Sequence, residues 1–123
     1  MTDGSPDGPL HDPDGVWAVA LADALARPVP AGQRSLPVFG HGSMTARLYA
    51  PRGTDAQTPH DQDEVYVVAR GHGRFVDRGR RVDVEAGTVL FVPAGAEHRF
   101  EDFSDDFATW VVFYGPAGGE GAR

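Results

Sequence analysis

The chain of 123 residues has the length of one domain, and its hydrophobic content of 41% is that of a globular protein. Its net charge of −7 argues against binding to nucleic acid or to an anionic membrane surface. Cysteine, lysine, asparagine and isoleucine are absent, which excludes disulfides, thiolate metal sites and Schiff-base chemistry. Any reactive site must therefore use histidine, carboxylate, arginine, serine, threonine or tyrosine side chains.

The two ends of the chain are predicted to be flexible tails. Residues 1–15 and 116–123 are rich in glycine and lack hydrophobic periodicity. Between the first tail and the main fold, an alanine- and leucine-rich run predicts a helix over residues 16–26, with Asp14 as its N-cap. The N-terminus has no basic and apolar segments of a signal peptide, and no apolar run reaches membrane-spanning length. A cytoplasmic protein is therefore expected.

The region from about residue 36 to residue 115 is predicted to form eight short strands. The apolar or alternating segments that recur there between turn residues are LPVF, SMTARLYA, EVYVVA, GRFVDR, RRVDVE, TVLFVP, HRFEDF and ATWVVFY. No helical crossover of a dozen residues fits between them, so the fold class is all-β, as a sandwich or barrel. Apolar residues that face away from the interior, such as Val65 and Val67, predict a partner sheet or a homodimer.

Two segments carry the candidate chemistry, and the first is TPHDQDEVYVVARG over residues 58–71. The β-branched residues after Glu64 favour a strand over a helix. Residues four apart on a straight strand are separated by about 13 Å, so His60 and Glu64 can share a ligand only if the chain bends between them. Pro59 and the polar residues 61–63 are consistent with such a bend.

The second segment is GTVLFVPAGAEHRFED over residues 87–102. It predicts a strand, a turn around a Pro-Ala-Gly sequence, and another strand that begins at His98. Strand alternation then places Phe100 and Asp102 on the same face as His98.

Together, the two segments resemble the two conserved motifs of the cupin superfamily. In the first motif, His60, Glu64 and Gly71 fit the family's spacing, Gly53 is offset by one position, and Thr58 stands where the family has its first histidine.

The second motif matches at four positions and differs at one. The matching residues are Gly87, Pro93, Gly95 and His98, and Asp102 replaces the family's asparagine. The resemblance covers residues 53–102, and the flanking strands extend it to about 36–115. It implies a small single-domain cupin over residues 16–115, in which a short N-terminal helix precedes a jelly-roll barrel.

The resemblance also implies a divalent metal ion, such as iron, manganese, zinc or nickel, held by His60, Glu64 and His98. The family's usual ligand set is three histidines and one glutamate. With Thr58 in place of one histidine, two histidines and one carboxylate remain, which leaves positions open for water or substrate. A metal-free polar cluster inside the barrel is the alternative interpretation of these residues.

A pocket for a small organic molecule is predicted beside the metal. The residues assigned to it are Thr58, Gln62, Tyr66, Arg47, Phe100 and Trp110. Tyr66 shares the face of Glu64 and is the candidate catalytic residue, as proton donor or orienting group. Arg47 would bind a carboxylate or phosphate if it points inward. The alternatives are core filling for the aromatic residues and solvent exposure for the polar ones.

Two functions are compatible with this site. The first is a metal-dependent oxygenase or isomerase, whose metal acts as a Lewis acid on a small organic substrate. The second is a non-catalytic metabolite-binding or sensing protein with a partial or lost metal site, which the histidine missing at Thr58 favours. A purely structural role would leave His60, Glu64 and His98 unexplained. Neither a nucleic acid nor a membrane is expected as a partner.

Overall fold

The computed structural model describes residues 15–121, and eight strands dominate this part of the chain. The strands are β1 (Leu36–His41), β2 (Met44–Tyr49), β3 (Asp63–Arg70), β4 (His72–Asp77), β5 (Arg80–Glu85), β6 (Val89–Val92), β7 (His98–Glu101) and β8 (Ala108–Tyr114). Each of them corresponds to one predicted segment, which confirms the all-β class. Residues 1–14 of the predicted N-terminal tail, with the N-cap assigned to Asp14, and residues 122–123 lie outside the described residues.

The N-terminal helix is shorter than predicted. Helix α1 spans Leu21–Leu25, and residues 16–20 are not helical. Ala20 occupies the N-cap position and, being alanine, offers no side-chain acceptor to the first turn. Helices this short are unstable without tertiary packing, so the helix forms only around Ala24, which is buried. No helix within residues 15–121 has the length and apolar character needed to cross a membrane.

The strands form two antiparallel sheets that pack against each other as a barrel. The larger sheet has the order β1-β2-β8-β3-β6, and the smaller one has the order β5-β4-β7. Hairpin β4-β5 turns through Arg78 and Gly79, which both have positive φ angles (49° and 85°), as a tight hairpin of this hand requires.

The core between the sheets is aromatic. Tyr66 from the larger sheet meets Phe75 and Phe100 from the smaller sheet, with ring centroids 5.8 and 5.0 Å from its own. Burying side chains of this size stabilises the fold by roughly 2–3 kcal/mol each. Alternation along β3 points Glu64, Tyr66 and Val68 inward. The face of β3 that supplies core side chains therefore also places the Glu64 carboxylate inside the barrel, near the start of the strand.

The outer face of the larger sheet carries a second apolar cluster and an uncovered apolar edge. Ala24 of α1 packs there with Leu48 and, at the margin, Trp110. On the edge strand β6, Val89 and Phe91 are 65% and 55% exposed. The homodimer stays a prediction, as does the cytoplasmic location.

Candidate functional site

The fold brings the three predicted ligands together at one end of the barrel. His60 ends a loop, Glu64 is the second residue of β3, and His98 is the first residue of β7 in the other sheet. Donor atoms of all three lie within 4.8 Å of one another. The chain bends at residues 61–62, as the sequence requires for a shared site, and the Gly95 amide donates to the His60 carbonyl at 2.7 Å.

Glu64 is the most unusual group of this cluster, because its side chain is 1% exposed and neither carboxylate oxygen has a hydrogen bond within residues 15–121. The nearest polar atom is His98 Nε2, 2.9 Å from Glu64 Oε1. His98 Nδ1 lies 2.8 Å from the Ala96 carbonyl oxygen, which can only accept, so Nδ1 carries a hydrogen. In neutral His98, Nε2 therefore directs a lone pair at the carboxylate.

Two facing acceptors in a buried site need a proton or a cation between them. A ring N–H that donates to a backbone carbonyl, as Nδ1 does to Ala96, is how proteins orient a metal-binding histidine, and Nε2 is left free to bind the metal. The residues present therefore fit a divalent metal ion, and a protonated His98 provides the charge in its absence.

The two histidines respond differently to their surroundings. For both, burial acts most strongly and lowers the pKa. In His60 the pKa stays below its ordinary value, although Glu64 opposes the effect. In His98 the close approach of Nε2 to Glu64, the hydrogen bond of Nδ1 to the Ala96 carbonyl and the Glu64 charge raise the pKa above its ordinary value. His60 is thus held in the neutral form that binds metals.

A glutamine that the sequence analysis missed completes this cluster. The Gln57 amide nitrogen donates to Asp55 Oδ2 at 2.7 Å. Because Asp55 can only accept, the Gln57 oxygen must face the other way, where it accepts from the Tyr66 hydroxyl at 2.9 Å and lies 3.4 Å from His60 Nε2. Its position next to Thr58, where the motif lacks a histidine, was the one available indication in the sequence.

Asp55 anchors the loop that carries Gln57, and it was missed as well. Its carboxylate accepts from the Phe100 amide at 2.8 Å and from the Tyr49 hydroxyl. These bonds tie the loop to a strand of each sheet and so hold Gln57 over the barrel.

Tyr66 lies at the centre of the cluster, as predicted from its parity with Glu64. Its oxygen is 3.1 Å from His98 Nε2 and donates to Gln57. Burial, with the neighbouring Glu64 charge, raises the pKa of Tyr66 well above its ordinary value. The phenol therefore keeps its proton and serves as a hydrogen-bond donor.

A cavity of about 720 Å³ opens beside the cluster. Four of the six predicted pocket residues line it: Arg47, Thr58, Gln62 and Tyr66. The cavity lining includes His60 and Tyr66, although Tyr66 is only 1% exposed, whereas Glu64 and His98 are buried and do not belong to the lining. Gln62 uses its amide group to donate to the Gly115 carbonyl at 2.9 Å.

The other two predicted pocket residues lie elsewhere. Phe100 is buried in the core behind Tyr66 and does not line the cavity. Trp110 packs with the outer cluster, so its assignment to the pocket is wrong. Alternation on β8 turns Val111, not Trp110, towards the cavity.

One acidic residue also differs from expectation. Asp102 does not share the face of His98: strand β7 ends at Glu101, and Asp102 has a φ angle of 51° and a side chain that is 76% exposed. The acidic residue Asp63, at the start of β3, is buried and accepts from the Ala94 and Glu120 amides at 2.8 Å each. Those two bonds lower the pKa of Asp63.

Known proteins resemble part of this chain. An uncharacterised protein of Streptomyces coelicolor is 41% identical over 76 residues, which cover 60% of this chain and 72% of that protein. An acireductone dioxygenase of Geobacillus thermodenitrificans is 36% identical over 66 residues, which cover 48% of this chain. The match spans only 37% of the dioxygenase.

Solved structures and a family model agree on the fold. A cupin-2 domain protein from Shewanella frigidimarina superimposes with a TM-score of 0.65 at 17% identity, over 79% of this chain and 94% of that one. The family model of the cupin domain matches residues 47–114, which include both motifs and strands β3–β8. The chain belongs to the cupin family.

Proposed function

We propose that this cupin binds a divalent metal ion through His60, Glu64 and His98, and a small organic molecule in the adjoining cavity. The observation that carries the proposal is the buried Glu64 carboxylate, which faces His98 Nε2 at 2.9 Å and has no hydrogen-bond donor in the described part of the chain. Burying such a charge without a counterion is costly. Iron, manganese, zinc and nickel all accept two imidazoles and a carboxylate.

A metal-dependent oxygenase or isomerase is the first form of this function. When bound, the metal would supply Lewis-acid chemistry. Tyr66 reaches the cavity and holds its proton, so its hydroxyl can orient a bound substrate oxygen or donate a proton to it. The likeness to an acireductone dioxygenase, at 36% identity over 66 residues, favours an oxygenase within this class.

A metabolite-binding or sensing protein without catalysis is the second form. It is favoured by the burial of Glu64 and His98 behind His60 and Tyr66, which separates them from the cavity. In this form the metal would hold the site together, and the cavity alone would recognise the ligand.

Metal analysis of the full chain tests the proposal. We expect protein purified without chelator to contain close to one metal ion per chain, and the His98→Ala variant to lose it. Because a ligand that binds only the folded state stabilises it, metal at 100 times its Kd should raise the free energy of unfolding by about 2.7 kcal/mol.

His41→Ala is the matched control, because His41 is exposed at the end of β1 and belongs to no ligand cluster in the described residues. It should keep both the metal and the stabilisation. The proposal fails if wild-type protein takes up no iron, manganese, zinc or nickel and none of these ions shifts its unfolding.

A further inference from the structure

The cavity carries a positive charge that the rest of the molecule does not share. The whole chain has 18 acidic residues against 11 arginines. Yet the cavity lining includes two arginines, Arg34 and Arg47, and no aspartate or glutamate. A concave surface with one sign of charge concentrates ligands of the opposite sign.

Arg47 is fixed in this wall by neutral groups. Its Nε donates to Ser35 Oγ at 2.6 Å, and its Nη2 donates to the Gln33 side chain and the Ser35 carbonyl. Its Nη1 has no acceptor within residues 15–121, and no carboxylate there lies within ion-pair distance. The guanidinium is half-buried, so an anion supplied by a ligand would offset the cost of its burial.

The negative groups closest to the cavity are already engaged. Asp55 accepts hydrogen bonds from Tyr49, Gln57 and Phe100, which disperse its charge. Glu64 lies behind the cavity wall and faces His98. Neither carboxylate pairs with Arg47.

We infer that the cavity recognises a small organic carboxylate, whose carboxylate group binds the free Nη1 of the Arg47 guanidinium. Nη1 can donate a charge-assisted hydrogen bond to a carboxylate oxygen, and such bonds are stronger than those between neutral groups. The other end of the ligand would lie towards His60 and Tyr66, where the inference rests on the proposed function. The contact with Arg47 does not require a metal.

Calorimetric titration of metal-free, full-length protein at low ionic strength tests this inference. The probes are succinate and glutarate, with succinamide as the neutral analogue of succinate and inorganic phosphate as the competing anion. We expect wild-type protein to bind a dicarboxylate at least tenfold more tightly than succinamide or phosphate. The Arg47→Gln variant should bind it at least tenfold more weakly.

Two further variants separate recognition from folding. Arg47→Lys keeps the charge but loses the guanidinium that Ser35 and Gln33 hold in place, and it should bind with intermediate affinity. Arg52→Gln removes an exposed arginine outside the cavity lining and should bind like wild type. Unfolding midpoints of all variants identify any that do not fold.

The inference is overturned if succinamide or phosphate binds as tightly as the dicarboxylates, if wild-type protein binds none of them, or if folded Arg47→Gln binds like wild type. Repeating the titration after adding metal keeps the two proposals apart. Dicarboxylate binding without metal uptake would refute only the metal proposal. Metal uptake without dicarboxylate binding would refute only this inference.

Discussion

At the scale of single residues, the position that distinguishes this cupin is Thr58, where the family has a histidine. Thr58 lines the cavity but is exposed, whereas the oxygen of its neighbour Gln57 lies 3.4 Å from His60 Nε2. Two ligands with metal bonds of about 2.1 Å lie roughly 3–4 Å apart. An amide oxygen therefore lies where a further ligand, or a hydrogen-bond partner of one, is needed.

Removing the Gln57 amide should weaken metal binding. We expect Gln57→Ala to lower affinity for cobalt(II), used as a visible-absorbing probe, by about tenfold, the effect typical of a lost partner of a metal ligand. Thr58→Ala is the control and should bind like wild type. Equal affinities of Gln57→Ala and wild-type protein would show that Gln57 has no part in the site.

At the scale of secondary-structure elements, the strands could be predicted and their faces only in part. The eight strands follow from alternating segments between glycine-rich turns, and β3 has a clear inward face through Glu64 and Tyr66. Strand β8 has apolar residues on both faces, because one side packs in the core and the other meets α1. The sequence pattern of β8 therefore could not predict that Val111, and not Trp110, faces the cavity.

The turn between β3 and β4 depends on Gly71 for two reasons that a pair of variants can separate. Gly71 has a φ angle of +78°, and a Cβ there would lie 2.8 Å from the Cα of buried Phe107. Gly79 has a φ angle of +85° with nothing within 4 Å of its Cβ position.

We expect Gly79→Ala to lower the free energy of unfolding by about 1 kcal/mol through backbone strain alone. Gly71→Ala adds a collision with the main chain and should cost roughly 2–4 kcal/mol. Guanidinium denaturation at neutral pH measures both. Equal losses would mean that the contact between this turn and Phe107 relaxes without cost.

At the scale of the whole molecule, the site depends on contacts between distant segments. The Gly95 amide donates a hydrogen bond to the His60 carbonyl. The buried Asp63 carboxylate accepts hydrogen bonds from the Ala94 and Glu120 amides. These contacts bring the loop before β3, the turn before β7 and the C-terminal segment to one end of the barrel. Motif spacing could identify His60, Glu64 and His98, but partners 31 to 57 residues apart have no local pattern that predicts them.

A buried carboxylate at the β4-β5 turn should make the stability of the whole fold depend on acid pH. The Asp77 side chain is 7% exposed and accepts from Arg78 at 2.9 Å and Arg80 at 2.6 Å. Hydrogen bonding from Arg78 is the main cause that lowers the pKa of Asp77 below its ordinary value of 3.8, although burial opposes it. The native state therefore releases this proton more readily than the unfolded chain does.

When the pKa of a carboxyl group is lower in the native state than in the unfolded chain, the ionised group stabilises the native state. This stabilisation is complete above the pKa of the unfolded chain and is lost as the pH falls through the pKa of the native state. Asp77→Asn should therefore reduce the free energy of unfolding by about 1 kcal/mol at pH 7, since both arginine partners are partly solvated. The difference from wild type should shrink below pH 4 and vanish at lower pH. Urea denaturation across this range measures it, with Asp83→Asn as the control, because Asp83 is 89% exposed and meets Arg74 only at 3.5 Å. A difference that stays constant with pH would mean that Asp77 stabilises the turn by packing and not through its charge.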